Sequence, residues 1–489
     1  MTRRLLSLLA LAGVTLIAPA CRPRPEGAAR VVVIGGEPKL RDPAAGPLSA
    51  PDAVLLSNVA QGLVRFDASG NIVSGLAERW NVSDDGLSYI FRLASGEWPD
   101  GTRITAPQVA RILKREIGRR SRNPIKDTLG AVEDIVAMTD RVIEIRLVSP
   151  RPNLLPLLAQ PEMSVLHNGR GTGPFSFSRQ GGGENALRLT SEVMNSDEEV
   201  ARREEVLLSG APAEQAVRAF AAAKAHLVLG GTFSDLPYAR AVKLPRNSLR
   251  FDPASGLFGL LPVSAQGPLS DVAARRLLSA AIDRAALAAA LNLPVPATRA
   301  TVLEPGLDGV PDPPQPAWFT VPVVDRRAAL LAEAQRLFGR AAKPVIRVDV
   351  PEGPGSEVLL SRLAADWGAL GFTVERAATP AAADFRLVDA VAPSTSTAWF
   401  LRSFRCGVVP LCDEQADTLL DAARAAAVPA QRYALLYEAS RRIDDGQLFI
   451  PLAAPVRWSL VSGRIQGFAG NRYARHTLTD LDQRPARGG

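Results

Sequence analysis

Apolar and polar positions alternate through much of the first third of the chain, most densely between residues 59 and 109. Gly62-Leu63-Val64-Arg65-Phe66 is one such run, closed by a polar turn at residues 67–71. A second run at 76–82 ends in the turn Ser83-Asp84-Asp85-Gly86. A third places Leu87, Tyr89, Phe91 and Leu93 on one face and Ser88, Ile90, Arg92 and Ala94 on the other. That period of two predicts half-buried strands. Trp98-Pro99-Asp100-Gly101-Thr102 makes a further turn, and Thr105-Ala106-Pro107 has the chemistry of a helix start. The hydroxyl suits the N-cap and the proline the first turn. An amphipathic helix is expected over 106–119, then a turn at Thr139-Asp140-Arg141 and an alternating strand over 142–147. Residues from about 60 to 158 therefore read as one small α/β unit.

The period changes elsewhere. Residues 30–36 (RVVVIGG) are continuously apolar, as a strand covered on both faces requires. A helix is expected over 52–61. Gly171-Thr172-Gly173-Pro174-Phe175-Ser176-Phe177 predicts a tight turn entering a strand; no lysine or helix follows, so it is not a phosphate loop. A helix at 215–224 and a strand at 226–229 come next. Residues 256–263 (GLFGLLPV) suit a buried strand or a hinge. Residues 268–291 read as two helices, with Ser270 or Asp271 capping the first and Asp283 near the start of the second. Beyond a proline-rich connection at 294–322, helices are expected at 325–338, 357–371 and 431–444, and strands at 345–350, 372–375 and 448–452. This alternation implies an α/β lobe with right-handed crossovers.

The ordered markers resemble those of the large solute-binding proteins of peptide- and nickel-type ABC importers. They run from Gly62-Leu63 through Leu76-Ala77-Glu78-Arg79-Trp80 to Trp98-Pro99-Asp100-Gly101. The Gly171–Phe177 turn is similar to a second family marker, with Phe175 where tyrosine is usual. Residues 268–291 are similar to a third. The resemblance implies a two-lobed α/β fold of the periplasmic-binding-protein type (type II, large cluster), with an extra small α/β domain on the first lobe.

Bulk properties fit this picture. At 489 residues the chain is too long for one ordinary core, so two or three domains are expected. The net charge of +7 is spread over interspersed Arg and Asp/Glu. The densest basic cluster, 114–122, reads as an exposed helix face, so no nucleic-acid partner is expected. Arg3-Arg4, an apolar stretch at 5–17 and Ala18-Pro19-Ala20 form a secretory signal. Cys21 directly after Ala20 suits a lipidated mature N-terminus, although Ala18 stands where such signals usually carry a leucine-like residue. Ordinary cleavage leaving an unmodified Cys21 is the alternative. Three cysteines are present. In an oxidising compartment Cys406 and Cys412 can pair if their Cα atoms lie within reach, leaving Cys21 for the lipid.

Reactive chemistry is sparse. His167, His226 and His476 are far apart, and no HExxH, GxSxG or Walker-type loop occurs. No catalytic residue, metal site or cofactor is expected, and the chain is not read as an enzyme. A binding role has a candidate. In peptide-binding members of the resembled family, an aspartate followed four residues later by proline pairs with the peptide's α-ammonium group. Asp389 and Pro393 match, while Ala390 and Ala392 replace an aromatic and a second acid. The plain alternative is that Asp389 ends a strand and caps a turn. Trp399 and Trp458 lie in segments that the resemblance turns toward the cleft, and Phe258 sits near the crossover between lobes.

These readings combine into one expectation. Residues 1–20 are a signal peptide and 21–30 a tether. Lobe I comprises 31–58, 159–255 and 456–482, with the extra domain at 59–158. Lobe II is 256–455, and 483–489 is a tail. A monomer held in the periplasm through Cys21 would capture a peptide or similar small solute for ABC permease subunits. An enzyme or an accessory signalling receptor on the same fold is the alternative.

Overall fold

A computed structural model describes residues 27–179, 186–193, 202–293, 298–339, 344–479 and 481. The expected signal peptide, Cys21 and the 483–489 tail lie outside the described residues.

Three sheets carry the architecture. The first has seven strands in the order Leu249–Phe251, Arg457–Val461, Leu227–Thr232, Ala29–Ile34, Arg202–Ala211, Ala186–Val193 and Ser176–Arg179. Ala29–Ile34 pairs in parallel with both of its neighbours, and the outer pairings are antiparallel. Its unbroken apolar run follows from cover on both faces. Val31 and Val33 pack with Leu55 and Val59 of the helix Ala50–Val59, while Val32 packs with Val217 and Phe220 of Ala213–Ala221. Ser49 caps the first helix through its side chain, which accepts from the Asp52 amide.

The second sheet has five strands, in the order Thr373–Arg376, Val345–Asp349, Phe385–Val391, Gly256–Pro262 and Ile450–Ala453. Gly256–Pro262 is buried along its whole length between two antiparallel neighbours. Helices Val272–Ala281 and Arg284–Ala290 flank it, N-capped by Asp271 and Asp283. The long helices Val323–Phe338, Pro354–Gly368 and Pro429–Asp445 complete this part of the molecule.

The small unit is a four-stranded antiparallel sheet, ordered Ala77–Val82, Ser88–Leu93, Val142–Leu147 and Val132–Thr139. Tyr89, Phe91, Ile143 and Ile145 face Val109 and Leu113 of the helix Ala106–Ile117. The alternation at 87–94 thus does what its period requires, one face in and one out. The Trp98 turn and the Thr105 cap are joined. Gln108 Oε1 accepts from the Trp98 indole and from the Thr105 amide, both at 3.1 Å, completing a capping box.

Candidate functional site

A cavity of about 180 Å³ lies between the small unit and the helices of the second sheet. From the small unit come the turn Lys126–Leu129, residues 130–131 and the start of the helix Leu154–Leu158. From the opposite side come the helices Thr397–Arg402, Glu414–Ala425 and Pro429–Asp445. Several bonds join the two walls. Arg432 Nη1 donates to the Pro150 carbonyl at 2.7 Å and Arg424 Nη2 to the Gly130 carbonyl at 3.0 Å. Nearby, Gln160 Nε2 donates to the Pro393 carbonyl at 2.9 Å.

The lining is strongly cationic: Arg151, Arg402, Arg405, Arg424 and Arg432 against Asp127 and Asp308. Burial, together with the charges of Arg432 and Arg424, pulls the Arg151 pKa down to about 10. Burial also lowers Arg402 and Arg432. The lowered value of Arg151 registers burial and neighbouring positive charge together, while those of Arg402 and Arg432 register burial in a poorly solvated space. Trp399 and Leu436 supply apolar wall. Arginine forks beside an aromatic surface suit a ligand with a planar anionic group.

The structure distributes the sequence candidates differently from expectation. Trp399 does line this cavity. Asp389 does not; it lies on Phe385–Val391 opposite Phe258, and its Oδ1 accepts from Arg457 Nη1 at 2.8 Å. Arg457 Nη2 also donates to the Asp389 carbonyl at 3.2 Å. Each side chain of the pair is 15% exposed. Burial raises the Asp389 pKa, Arg457 pulls it back, and Asp235 adds to the rise. The carboxylate expected to receive a ligand's ammonium therefore already holds a cation of its own chain. Because Arg457 begins a strand of the first sheet, the pair fastens the two large sheets together.

Phe258 and Trp458, expected near the cleft, do not line this cavity and are both buried. Phe258 is 2% exposed and meets Phe233 edge-on at 5.0 Å. Trp458 is 1% exposed, lies on Gly231, and donates from its indole to the Thr232 carbonyl at 2.7 Å. Both rings pack in the buried cluster that the two large sheets share. Cys406 and Cys412 are disulfide-bonded, with Cα atoms 5.1 Å apart. The closed loop is short, and reduction is expected to cost about 2 kcal/mol of stability, read as a lower denaturant midpoint with unchanged slope. The histidines are elsewhere: His167 stacks on Trp98, buried His226 is held neutral with its pKa lowered to about 4, and His476 contacts Asp252.

Sequence reading missed the arginines that define the cavity. They come from three separated segments, so no local motif joins them. One trace was available. Arg432 occupies the buried stripe of its helix with Leu436, Ala439 and Ile443, spaced as one helical face. A charge on an apolar stripe requires a special environment.

The family described as "Bacterial extracellular solute-binding proteins, family 5 Middle" matches residues 71–403. The chain belongs to that family. Among relatives by sequence, a probable deoxycholate-binding periplasmic protein of Escherichia coli, YgiS, is 28% identical over 129 residues, 23% of this chain and 24% of that protein. A dipeptide-binding protein of Lactococcus lactis is 30% identical over 120 residues, 21% of this chain and 22% of the relative. The matches thus span about a quarter of these relatives' lengths. Likeness of fold extends much further. Haemophilus influenzae OppA, solved with the peptide RPPGFSPFR, superposes with a TM-score of 0.77 at 16% identity, covering 94% of this chain and 100% of that one. The murein tripeptide-binding protein MppA of Escherichia coli gives 0.77 at 17% identity, covering 94% and 99%. The two-lobed fold expected of this family 5 protein is therefore present.

Proposed function

We propose that this family 5 protein captures a small solute outside the cytoplasmic membrane, between two lobes, and presents the closed form to an ABC permease. The observation that carries this reading is the arginine-lined cavity, walled on one side by the small unit and on the other by second-sheet helices. A ligand held by both walls favours their closed arrangement, which is how binding becomes a signal to a partner. The relatives' names, dipeptide-binding, murein tripeptide-binding and deoxycholate-binding, support a small-solute cargo without fixing its class.

In this reading the first sheet belongs to lobe I, built from 31–58, 159–255 and 456–482, with 59–158 as its added domain. Residues 256–455 form lobe II. The protein acts as a monomer tethered through lipidated Cys21. No bond in the solute is made or broken. Deleting the chain from cells that carry the cognate permease and ATPase is expected to abolish uptake of the captured solute, and restoring it to return uptake. The purified protein should release that solute chemically unchanged. Undiminished uptake in its absence, or recovery of a converted product, would sink the proposal.

A further inference from the structure

We infer that the solute is a compact oxyanion, a carboxylate or phosphate compound, gripped by Arg402 and Arg432 with Arg151 facing them across the cavity. This rests on the reading of that cavity as the solute site.

The first argument is charge balance. Arg405 is neutralised from outside the cavity by Asp421 at 2.8 Å and Asp417 at 3.6 Å. Asp308 and Asp127 offset part of the remaining positive charge, Asp127 by acting electrostatically on Arg402, and leave it in excess. Among the described residues, Arg151, Arg402, Arg424 and Arg432 form no ion pair. Their acceptors are neutral carbonyls: Pro150 for Arg151 and Arg432, Ala426 for Arg432, Gly130 for Arg424. Gathering like charges in a poorly solvated space is costly, and an anion placed among them removes the cost.

The second argument is unmet hydrogen bonding. Arg432 is 6% exposed, yet its Nε has no acceptor; Arg402 Nη1 and Thr128 Oγ1 likewise lack partners. All three residues line the cavity. A buried N–H of a charged group without an acceptor costs more than a neutral one, and reorienting the guanidiniums toward an oxyanion, in Arg432 by exchanging its bonds to the Pro150 and Ala426 carbonyls, would supply one. The carboxylates of the lining, Asp127 and Asp308, are outnumbered by its arginines, so the balance of the lining favours an anion over an ammonium group. The acid expected to receive an ammonium group, Asp389, is paired with Arg457 and lies outside this lining.

Size narrows the class. Sites for drug-sized ligands run to about 300–1,000 Å³, so the enclosed part of this cavity, about 180 Å³, suits a compact anionic group rather than a whole extended peptide.

The test uses the full chain and thermal-shift titration with succinate, citrate, inorganic phosphate and glycerol phosphate at matched ionic strength. Succinamide and trialanine amide serve as probes without an oxyanion. At least one carboxylate or phosphate is expected to raise the melting temperature saturably, and the two amides to leave it unchanged. Arg402→Met and Arg432→Met should each weaken that binding tenfold or more. Arg402→Lys, which keeps the charge but loses the fork, should fall between. Circular dichroism and the unliganded melting temperature establish that each variant folds. No shift with any of the four anions, or equal affinity in Arg402→Met and the parent, overturns the inference. Ala398→Trp, at an exposed lining position, separates it from the site reading. If an amide binds and Ala398→Trp blocks it, the cavity is the site and the oxyanion assignment is wrong. If anion binding survives both Ala398→Trp and Arg402→Met, the ligand sits elsewhere and the site reading is wrong as well.

Discussion

Replacing Arg457 with methionine is expected to destabilise the protein by about 3–5 kcal/mol at neutral pH, the usual cost of stranding one member of a buried ion pair. Both partners are 15% exposed, so solvent screens the pair little. The loss should depend on pH in one direction. Burial already raises the Asp389 pKa above 3.8, and removing Arg457 raises it further. A carboxyl whose folded pKa is raised stabilises the folded state only where it is protonated. Its contribution is fully present below the unfolded value and is lost as pH rises through the folded one. The penalty of Arg457→Met should therefore be small near pH 4 and largest near pH 8. Asp389→Asn added to Arg457→Met should recover most of it, because the stranded charge is then gone. Urea unfolding of the parent, the single variant and the double variant at both pH values measures this. An equal loss at pH 4 and pH 8 would mean that lost packing of the arginine stem, not the stranded carboxylate, sets the cost.

This pair also shows where the sequence could be read and where it could not. Asp389 was recognisable by its spacing to Pro393, but its partner lies 68 residues later at the start of another strand. No periodicity reports such a contact. Local features were legible because their causes are local. The strand Val142–Leu147 follows from its alternation, and the Thr105, Asp271 and Asp283 caps from side chains that satisfy nearby amides. The strand Arg202–Ala211 was not anticipated; it opens with four charged residues and is fixed by pairing with Ala29–Ile34 and Ala186–Val193. Pairing partners of that kind override local preference. The arginine cavity is the extreme case, since its walls exist only once the small unit and the second-sheet helices meet.

The Gly171–Phe177 turn yields the second large effect. Gly173→Ala is expected to cost about 3 kcal/mol or more, at the upper end of overpacking penalties. The turn packs onto the end of the helix Ala50–Val59. Gly173 N donates to the Val59 carbonyl and Phe175 N to the Asn58 carbonyl, both at 3.0 Å. A Cβ on Gly173 would sit 2.5 Å from the Ala60 nitrogen and the Val59 carbonyl carbon, and 2.6 Å from the Asn58 oxygen. These are backbone atoms and cannot rotate aside. Asn58 is itself immobilised, its Oδ1 accepting from the Leu478 amide at 2.8 Å and its Nδ2 donating to the Val54 carbonyl at 2.8 Å. Gly169, four residues earlier, provides the contrast. It has a φ of +73° but open space where its Cβ would lie, so Gly169→Ala should cost only about 1–2 kcal/mol, for left-handed backbone alone. Urea denaturation of the two variants ranks them directly. A Gly173→Ala protein within 1 kcal/mol of the parent, or less affected than Gly169→Ala, would show that the turn tolerates separation from the helix. The glycine would then be a matter of chain flexibility rather than close approach.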